Sequence, residues 1–99
     1  SVLIIFENLM PTVHLLVKGK VQGVFYRATA KDVADELQIT GWVRNTDEGH
    51  VEIIATGTTE QLEKFINWCK IGPSRSVVTE VITDMRTPEN FEKFKIRRG

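Results

Sequence analysis

The stretch Gly19–Arg27, GKVQGVFYR, contains the residue types that could bind an anion. Its two glycines lie four residues apart, and glycine permits positive φ and leaves neighbouring backbone N–H groups uncovered. A loop of this kind can wrap its amides around a phosphate-sized anion. A helix-like run follows, and the free N–H groups of a helix start carry partial positive charge that favours the same ligand. The sequence therefore predicts a phosphate cradle here.

Arg27 occupies a place where a cation is unfavourable on its own. In the first turn of a helix it opposes the macrodipole, at a cost of roughly 0.3–1 kcal/mol. A bound anion reverses this penalty, because the guanidinium can bind it bidentately beside the loop amides. The alternative is that the glycines only shape a turn and Arg27 is a solvated surface charge. The spacing matches neither a Walker A loop nor the dinucleotide-binding GxGxxG.

Other side chains with chemical potential are few. Asn45 stands beside a predicted turn, and taken alone it favours ordinary turn chemistry, because an Asn side chain readily bonds nearby backbone. His14 lies in a predicted strand, where a packed or surface role is favoured over catalysis. The sequence contains no plausible serine triad, Cys–His pair or metal-ligand cluster. We expect no metal and no cofactor, and phosphoryl transfer fits because it depends mainly on positioning and charge stabilisation.

Hydrophobic periodicity predicts the elements that position these residues. Alternation predicts strands at 12–17, 39–46, 50–56, 77–85 and 94–97, the second and third joined as a hairpin. Apolar spacings of three and four predict a helix from 24 or 25 to 37, and a second helix that a Thr58–Gln61 capping box opens and Gly72-Pro73 ends. Cys69 falls on the apolar stripe of the second helix, which predicts an inert core thiol.

The order β, α, β, β, α, β with a short fifth strand predicts an α+β fold. We expect a ferredoxin-like split βαβ sandwich, with two helices on one face of a mixed, mostly antiparallel sheet. In this topology the loop of Gly19–Tyr26 and the strand that holds Asn45 can approach each other at one edge.

Size and charge limit the classes of function. The 99 residues form one domain, and 13 basic and 13 acidic residues give zero formal charge, so we expect neither nucleic-acid nor membrane binding. The single cysteine fits a reducing, cytoplasmic compartment. We expect residues 1–11 to be an N-terminal extension, either disordered or an extra edge strand, before a domain at 12–99. Met10 is a candidate natural start, so a chain beginning there should fold and act normally.

Two long segments resemble the signature segments of acylphosphatases: GKVQGVFYR, and GWVRNT followed by DEGHVE at 41–52. Gly57, Phe65, Trp68, Gly72-Pro73 and a closing FKIR also fall where that family has such residues, so the resemblance covers residues 12–99. The fold that the resemblance implies is the same ferredoxin-like sandwich. The sequence departs from the family at Gln38, where glycine is usual. A non-glycine left-handed cap costs on the order of 1 kcal/mol, so we expect the first helix to end differently.

The resemblance implies metal-independent hydrolysis of acyl phosphates to a carboxylate and inorganic phosphate. It assigns catalytic roles to two residues: Arg27 grips the phosphoryl group, and Asn45 orients the attacking water. It also implies that inorganic phosphate competes with the substrate, and we expect a monomer. The remaining site residues are phosphate-binding amides at Gln22, Gly23, Val24, Phe25 and Tyr26, and supporting residues at Gly19 and Thr46.

Two alternatives stay open. A phosphate-binding or regulatory relative without turnover would use the same loop, although the presence of both Arg27 and Asn45 disfavours it. An RNA-binding module is the second alternative, because the same fold hosts RNA-recognition domains. Zero net charge and the lack of an aromatic-rich strand argue against this second alternative.

Overall fold

The computed structural model describes residues 10–98, and its elements follow the predicted order. The predicted extension, residues 1–11, lies almost entirely outside this range. Within residues 10–98, no helix is long and apolar enough to cross a membrane. The elements are β1 (Thr12–Lys20), α1 (Tyr26–Glu36), β2 (Thr40–Asn45), β3 (Val51–Thr56), α2 (Thr59–Ile71), β4 (Val77–Arg86) and β5 (Phe94–Arg97).

The five strands form one sheet in the order β4-β1-β3-β2-β5. Only the β2–β5 pair is parallel, whereas the other three pairs are antiparallel. The prediction of a mixed, mostly antiparallel, ferredoxin-like sheet with two helices is therefore confirmed.

The register brings the end of β1 close to the end of β2. Val17 in β1 and Asn45 in β2 both pair with Val51, one from each side of β3. Because neighbouring strands lie about 4.8 Å apart, these two residues are separated by roughly two such spacings. The loop that follows β1 and the Asn45 side chain thus lie at the same end of the strands.

The core lies between the helices and one face of the sheet. Residues of β1 are buried alternately from Val13 to Val17, as a period of two requires, whereas β3, which lies between β1 and β2, is buried at five of its six residues. The inward-facing residues of both strands pack with the apolar stripes of both helices. This core contains Val13, Leu15, Val17, Ala30, Ala34, Val43, Val51, Ile53, Ala55, Leu62, Phe65, Cys69 and Phe94.

Gly19 lies within β1, so the loop is shorter than the predicted Gly19–Arg27 stretch. Its φ of 124° is positive, as the sequence suggested, but the reason is contact with β4. The β1–β4 register shifts between Lys18 and Gly19, and a Cβ at Gly19 would stand 2.1 Å from the Val77 carbonyl oxygen. Gly19 therefore permits a bulge and a close strand approach.

The end of α1 corrects the expectation at Gln38. This residue does adopt the left-handed conformation, with φ 60°, although it is not glycine. The Gln38 N–H donates to the Asp35 carbonyl at 3.1 Å, and the Ile39 N–H donates to the Ala34 carbonyl at 2.8 Å. These two bonds form a Schellman motif. Burial of Ile39, 2% exposed, helps to hold this ending despite the backbone strain.

Helix α2 begins as predicted. The Thr58 Oγ1 accepts from the Gln61 N–H at 3.1 Å, and the Gln61 Oε1 accepts from the Thr58 N–H at 2.8 Å. The capping box is therefore confirmed, and two otherwise unpaired N–H groups are satisfied.

Candidate active site

Residues 21–25 connect β1 to α1 and form a loop in which positive and negative φ angles alternate. Gly23 has φ 74° and Phe25 has φ 65°, whereas the residues between and beside them have negative φ. Alternation of this kind turns successive N–H groups toward one concave side. Among residues 10–98, no acceptor is bonded to the backbone N–H groups of residues 22–28. The loop and helix start together present a row of free donors.

Phe25 caps the helix without covering its N–H groups. Its side chain makes no capping hydrogen bond, whereas its carbonyl oxygen accepts from the Thr29 N–H at 3.1 Å and the Thr29 hydroxyl at 2.9 Å. A left-handed non-glycine residue costs roughly 1–2 kcal/mol. Backbone strain of this size is typical of binding sites, where it fixes a required shape.

Arg27 is the second residue of α1 and is half-buried. The first turn contains no acidic residue, and within residues 10–98 the guanidinium forms no ion pair. A positive charge beside free N–H groups and the positive end of a helix is unfavourable until an anion arrives. The three features together form an electropositive site for such a ligand.

An open cleft of about 780 Å³ contains both predicted catalytic residues. Arg27 lines it from α1 and Asn45 lines it from the end of β2, so the structure brings them together. No carboxylate of residues 10–98 belongs to this lining, and no cluster of three or more His, Cys, Asp or Glu in the same range could hold a metal ion. The lining residues are Val21, Gly23, Phe25, Tyr26, Arg27, Ala28, Asn45, Ile96 and Arg98.

The side chains of the loop divide into two groups. Val24 and Tyr26 point into the core, at 6% and 1% exposure, so only their backbone could meet a ligand. The Tyr26 hydroxyl donates to the Cys69 carbonyl at 2.7 Å and anchors the start of α1 to α2. Burial raises the pKa of the Cys69 thiol to about 12. A thiol so protonated and enclosed is a poor nucleophile.

Asn45 carries an unpaired polar atom. Its Oδ1 is buried and accepts no hydrogen bond from any group in residues 10–98. Buried acceptors are rarely left unpaired, because the loss of hydration costs about 1–3 kcal/mol. An unpaired acceptor on a residue of the cleft lining can serve a polar ligand, and water is the smallest such ligand.

Gln22 joins the loop to the β2–β3 turn, a role that the sequence did not reveal. Its Nε2 donates to the Thr46 carbonyl at 2.9 Å and to the His50 carbonyl at 2.8 Å. Thr46 is itself fixed, because its Oγ1 accepts from the His50 N–H at 3.1 Å. Asn45 thus precedes a residue whose carbonyl and hydroxyl are both bonded.

His14 lies outside the cleft and on the opposite face of the sheet. Its Nε2 donates to Glu52 Oε2 at 2.7 Å, and Arg44 donates to Glu52 Oε1 at 2.6 Å. Burial by itself would raise the pKa of Glu52, but the hydrogen bonds from His14 and Arg44 outweigh it and lower that pKa below its ordinary value. The packed role favoured for His14 agrees with this placement.

Sequence reasoning also missed Ile96 and Arg98 as cleft residues. Ile96 belongs to β5, and its partner in β2 is Val43. Val43 is two residues before Asn45, so Ile96 and Asn45 lie on the same face of adjacent strands. No local motif could have found this neighbourhood, because it depends on the parallel pairing of β2 with β5.

Comparison with known proteins gives one consistent result. The Acylphosphatase family model matches residues 13–96. An acylphosphatase from Marinobacter nauticus is 49% identical over 83 residues, which are 83% of this chain and 90% of that protein.

Solved structures agree with this match. An acylphosphatase from Coxiella burnetii superposes with a TM-score of 0.88 at 36% identity, over 92% of this chain and 96% of that one. An acylphosphatase from Bacillus subtilis gives 0.86 at 36% identity, over 89% and 99%. The fold, the cleft and these matches lead to one conclusion: the chain belongs to the acylphosphatase family.

Proposed function

We propose that this cleft binds the phosphoryl group of an acyl phosphate and directs a water molecule at its phosphorus atom. The enzyme is a hydrolase of acyl phosphates, as its family membership and relatives support. The observation that carries the proposal is the convergence of free backbone donors, Arg27 and Asn45 on one cleft.

The phosphoryl group is held by charge and by hydrogen bonds. The N–H groups of the loop and helix start, together with the Arg27 guanidinium, bind the phosphoryl oxygens. Such fixed donors stabilise the charge of the transition state because they need no reorientation as the reaction proceeds. The absence of a carboxylate from the described cleft lining favours a dianionic ligand.

Asn45 orients the nucleophile. Its Oδ1 accepts a hydrogen bond from the water and turns a lone pair toward phosphorus. A bond then forms between the water oxygen and phosphorus, and the bond from phosphorus to the acyl oxygen breaks with its electron pair. The proton of the water passes to a phosphoryl oxygen. The products are a carboxylate and inorganic phosphate.

This route requires neither a metal nor a strong general acid. A carboxylate is a good leaving group, and the N–H groups and Arg27 supply the positive charge. We propose that the chain acts as a cytoplasmic monomer on small molecules, without nucleic-acid or membrane partners. Inorganic phosphate, as a product that fits the same donors, competes with the substrate.

An assay with benzoyl phosphate in the presence of excess chelator tests the proposal. We expect hydrolysis to persist with chelator and to be inhibited competitively by inorganic phosphate. A purified, folded chain that binds phosphate without hydrolysing any acyl phosphate would instead support the regulatory alternative. Binding of single-stranded RNA at low salt, without hydrolysis, would support the RNA-binding alternative.

A further inference from the structure

Phe25 is an aromatic residue of the cleft lining that is largely exposed. The residue is 76% exposed, although its left-handed backbone is unfavourable for any side chain larger than glycine. Neither folding of the core nor capping of α1 explains the ring, because it is not buried and makes no capping hydrogen bond. An exposed aromatic residue in a cleft is well suited to contact a ligand.

Ile96 brings a second exposed apolar group to the same cleft. It is 42% exposed and comes from β5, whereas Phe25 comes from the loop before α1. Two apolar side chains from distant parts of the chain therefore line the cleft that contains Arg27 and Asn45. Both would lose contact with water if an apolar group entered the cleft.

We infer that Phe25 and Ile96 bind the acyl part of the substrate and make the enzyme selective for apolar, particularly aromatic, acyl phosphates. This inference rests on the proposed function. When the phosphoryl group occupies the loop, the acyl group is one bridging oxygen away and must occupy the remainder of the cleft. The large exposed apolar side chains among the lining residues are those of Phe25 and Ile96, to which Ala28 adds a methyl group.

Arg98 provides the competing chemistry. It also lines the cleft, and a guanidinium would favour an acyl group that carries its own carboxylate. Apolar selectivity and a dominant Arg98 predict different substrates with the highest kcat/KM. Apolar selectivity places benzoyl phosphate above acetyl phosphate and succinyl phosphate, whereas a dominant Arg98 places succinyl phosphate first.

The test compares kcat/KM for benzoyl, acetyl and succinyl phosphates in the wild type and three variants. Phe25→Gly removes the ring from a position that glycine occupies without strain, and Ile96→Thr keeps β-branching while reducing apolar surface. We expect each to lower the benzoyl-to-acetyl ratio of kcat/KM by about 3- to 10-fold, mainly through KM. Met85→Thr is the matched control, because Met85 is 69% exposed on β4 and outside the cleft; its ratio should not change.

The outcomes separate the two claims. Hydrolysis of acetyl phosphate by the wild type supports the proposed function whatever the ratios are. Unchanged ratios in both Phe25→Gly and Ile96→Thr, or a wild-type preference for succinyl phosphate, would overturn the inference alone. If the wild type hydrolyses none of the three, both claims fail. Circular dichroism of each variant identifies a loss of folding, and Ile96→Thr keeps the test decisive if Phe25→Gly unfolds.

Discussion

The Gln22 side chain donates to the Thr46 carbonyl oxygen at 2.9 Å and so joins the proposed phosphate loop to the residue after Asn45. The same nitrogen also reaches the His50 carbonyl. These bonds connect segments that are more than twenty residues apart in the chain. They set the distance between the groups that we propose hold the phosphoryl group and the group that orients the water.

Replacement of Gln22 should test whether its two side-chain hydrogen bonds hold the loop in position. Gln22→Ala removes two hydrogen bonds of about 0.5–1.5 kcal/mol each, so we expect a lower free energy of unfolding and a lower kcat. Gln22→Glu should be worse at neutral pH, because a carboxylate would face two carbonyl oxygens. A protonated Glu can donate again, so the kcat of Gln22→Glu relative to wild type should rise as the pH falls toward about 4.

The measurement is kcat with benzoyl phosphate from pH 4 to 7, together with urea unfolding at pH 7. A constant ratio between Gln22→Glu and wild type over this range would contradict a donor role. Gln61→Glu is the control for the same change of residue type. The Gln61 side chain accepts rather than donates, and Glu keeps that acceptor.

Asn45→Ala should mainly reduce turnover. Removal of one group that is aimed at the reacting atoms costs about 10²–10³ in rate, or ~2.7–4 kcal/mol. We expect KM to change little, because in the proposed mechanism Asn45 contacts the water rather than the phosphoryl oxygens. Steady-state kinetics with benzoyl phosphate measure both constants. Asn67→Ala, on an exposed position of α2, is the control, and a wild-type kcat in Asn45→Ala would reject the assigned role.

Arg27→Ala should reduce both binding and turnover, because we propose that the guanidinium contacts the phosphoryl group before and during the reaction. We expect kcat to fall by about 10²-fold or more and inhibition by inorganic phosphate to weaken in parallel. Arg27→Lys should recover only part of the loss, because an ammonium group cannot bind bidentately. Arg75→Ala removes an exposed charge outside the cleft, and an equal effect there would indicate a general charge effect.

Gln38→Gly should stabilise the protein without changing catalysis. The left-handed conformation at φ 60° costs a non-glycine residue about 1 kcal/mol, and glycine removes that cost. Urea unfolding should therefore show an increase of about 1 kcal/mol. Glu36→Gly makes the opposite control, since Glu36 ends α1 with helical geometry, and there glycine should destabilise by about 0.5–1 kcal/mol.

The free energy of unfolding should depend on pH through Glu52. Because the folded state lowers the pKa of this carboxyl, the unfolded chain binds its proton at a higher pH than the folded chain does. Stability from this group is thus present above the unfolded pKa, about 4.3, and is lost as the pH falls through the folded pKa. Glu52→Gln should flatten the pH dependence of urea unfolding between pH 5 and 3. Glu48→Gln, on an exposed turn residue, should leave it unchanged.

The sequence predicted what local patterns encode. Alternation located β1 because one of its faces is buried, and Thr58 with Gln61 located the start of α2 because the cap is complete within four residues. Gly19 was predicted as part of the loop but lies in β1, because its bulge depends on contact with the distant strand β4. The helix end at Gln38 was predicted wrongly, because a preference for glycine takes no account of the bonds to Asp35 and Ala34 or of the burial of the neighbouring Ile39. The Gln22 bonds and the neighbourhood of Ile96 depend on sheet register, which periodicity does not specify.

The donors in residues 22–28 are main-chain groups, and this has a consequence for mutagenesis. Exchange of one side chain for another leaves each N–H in place, so alanine substitutions at positions other than Gln22 and Arg27 would underestimate the part that we propose these amides play in phosphate binding. Only a chemical change to the peptide link itself, such as proline or an ester in place of one amide, deletes a donor. In the proposed site, binding by these amides is thus a property of the path that the chain follows, whereas the Gln22 and Arg27 side chains make separate contributions that a substitution would remove.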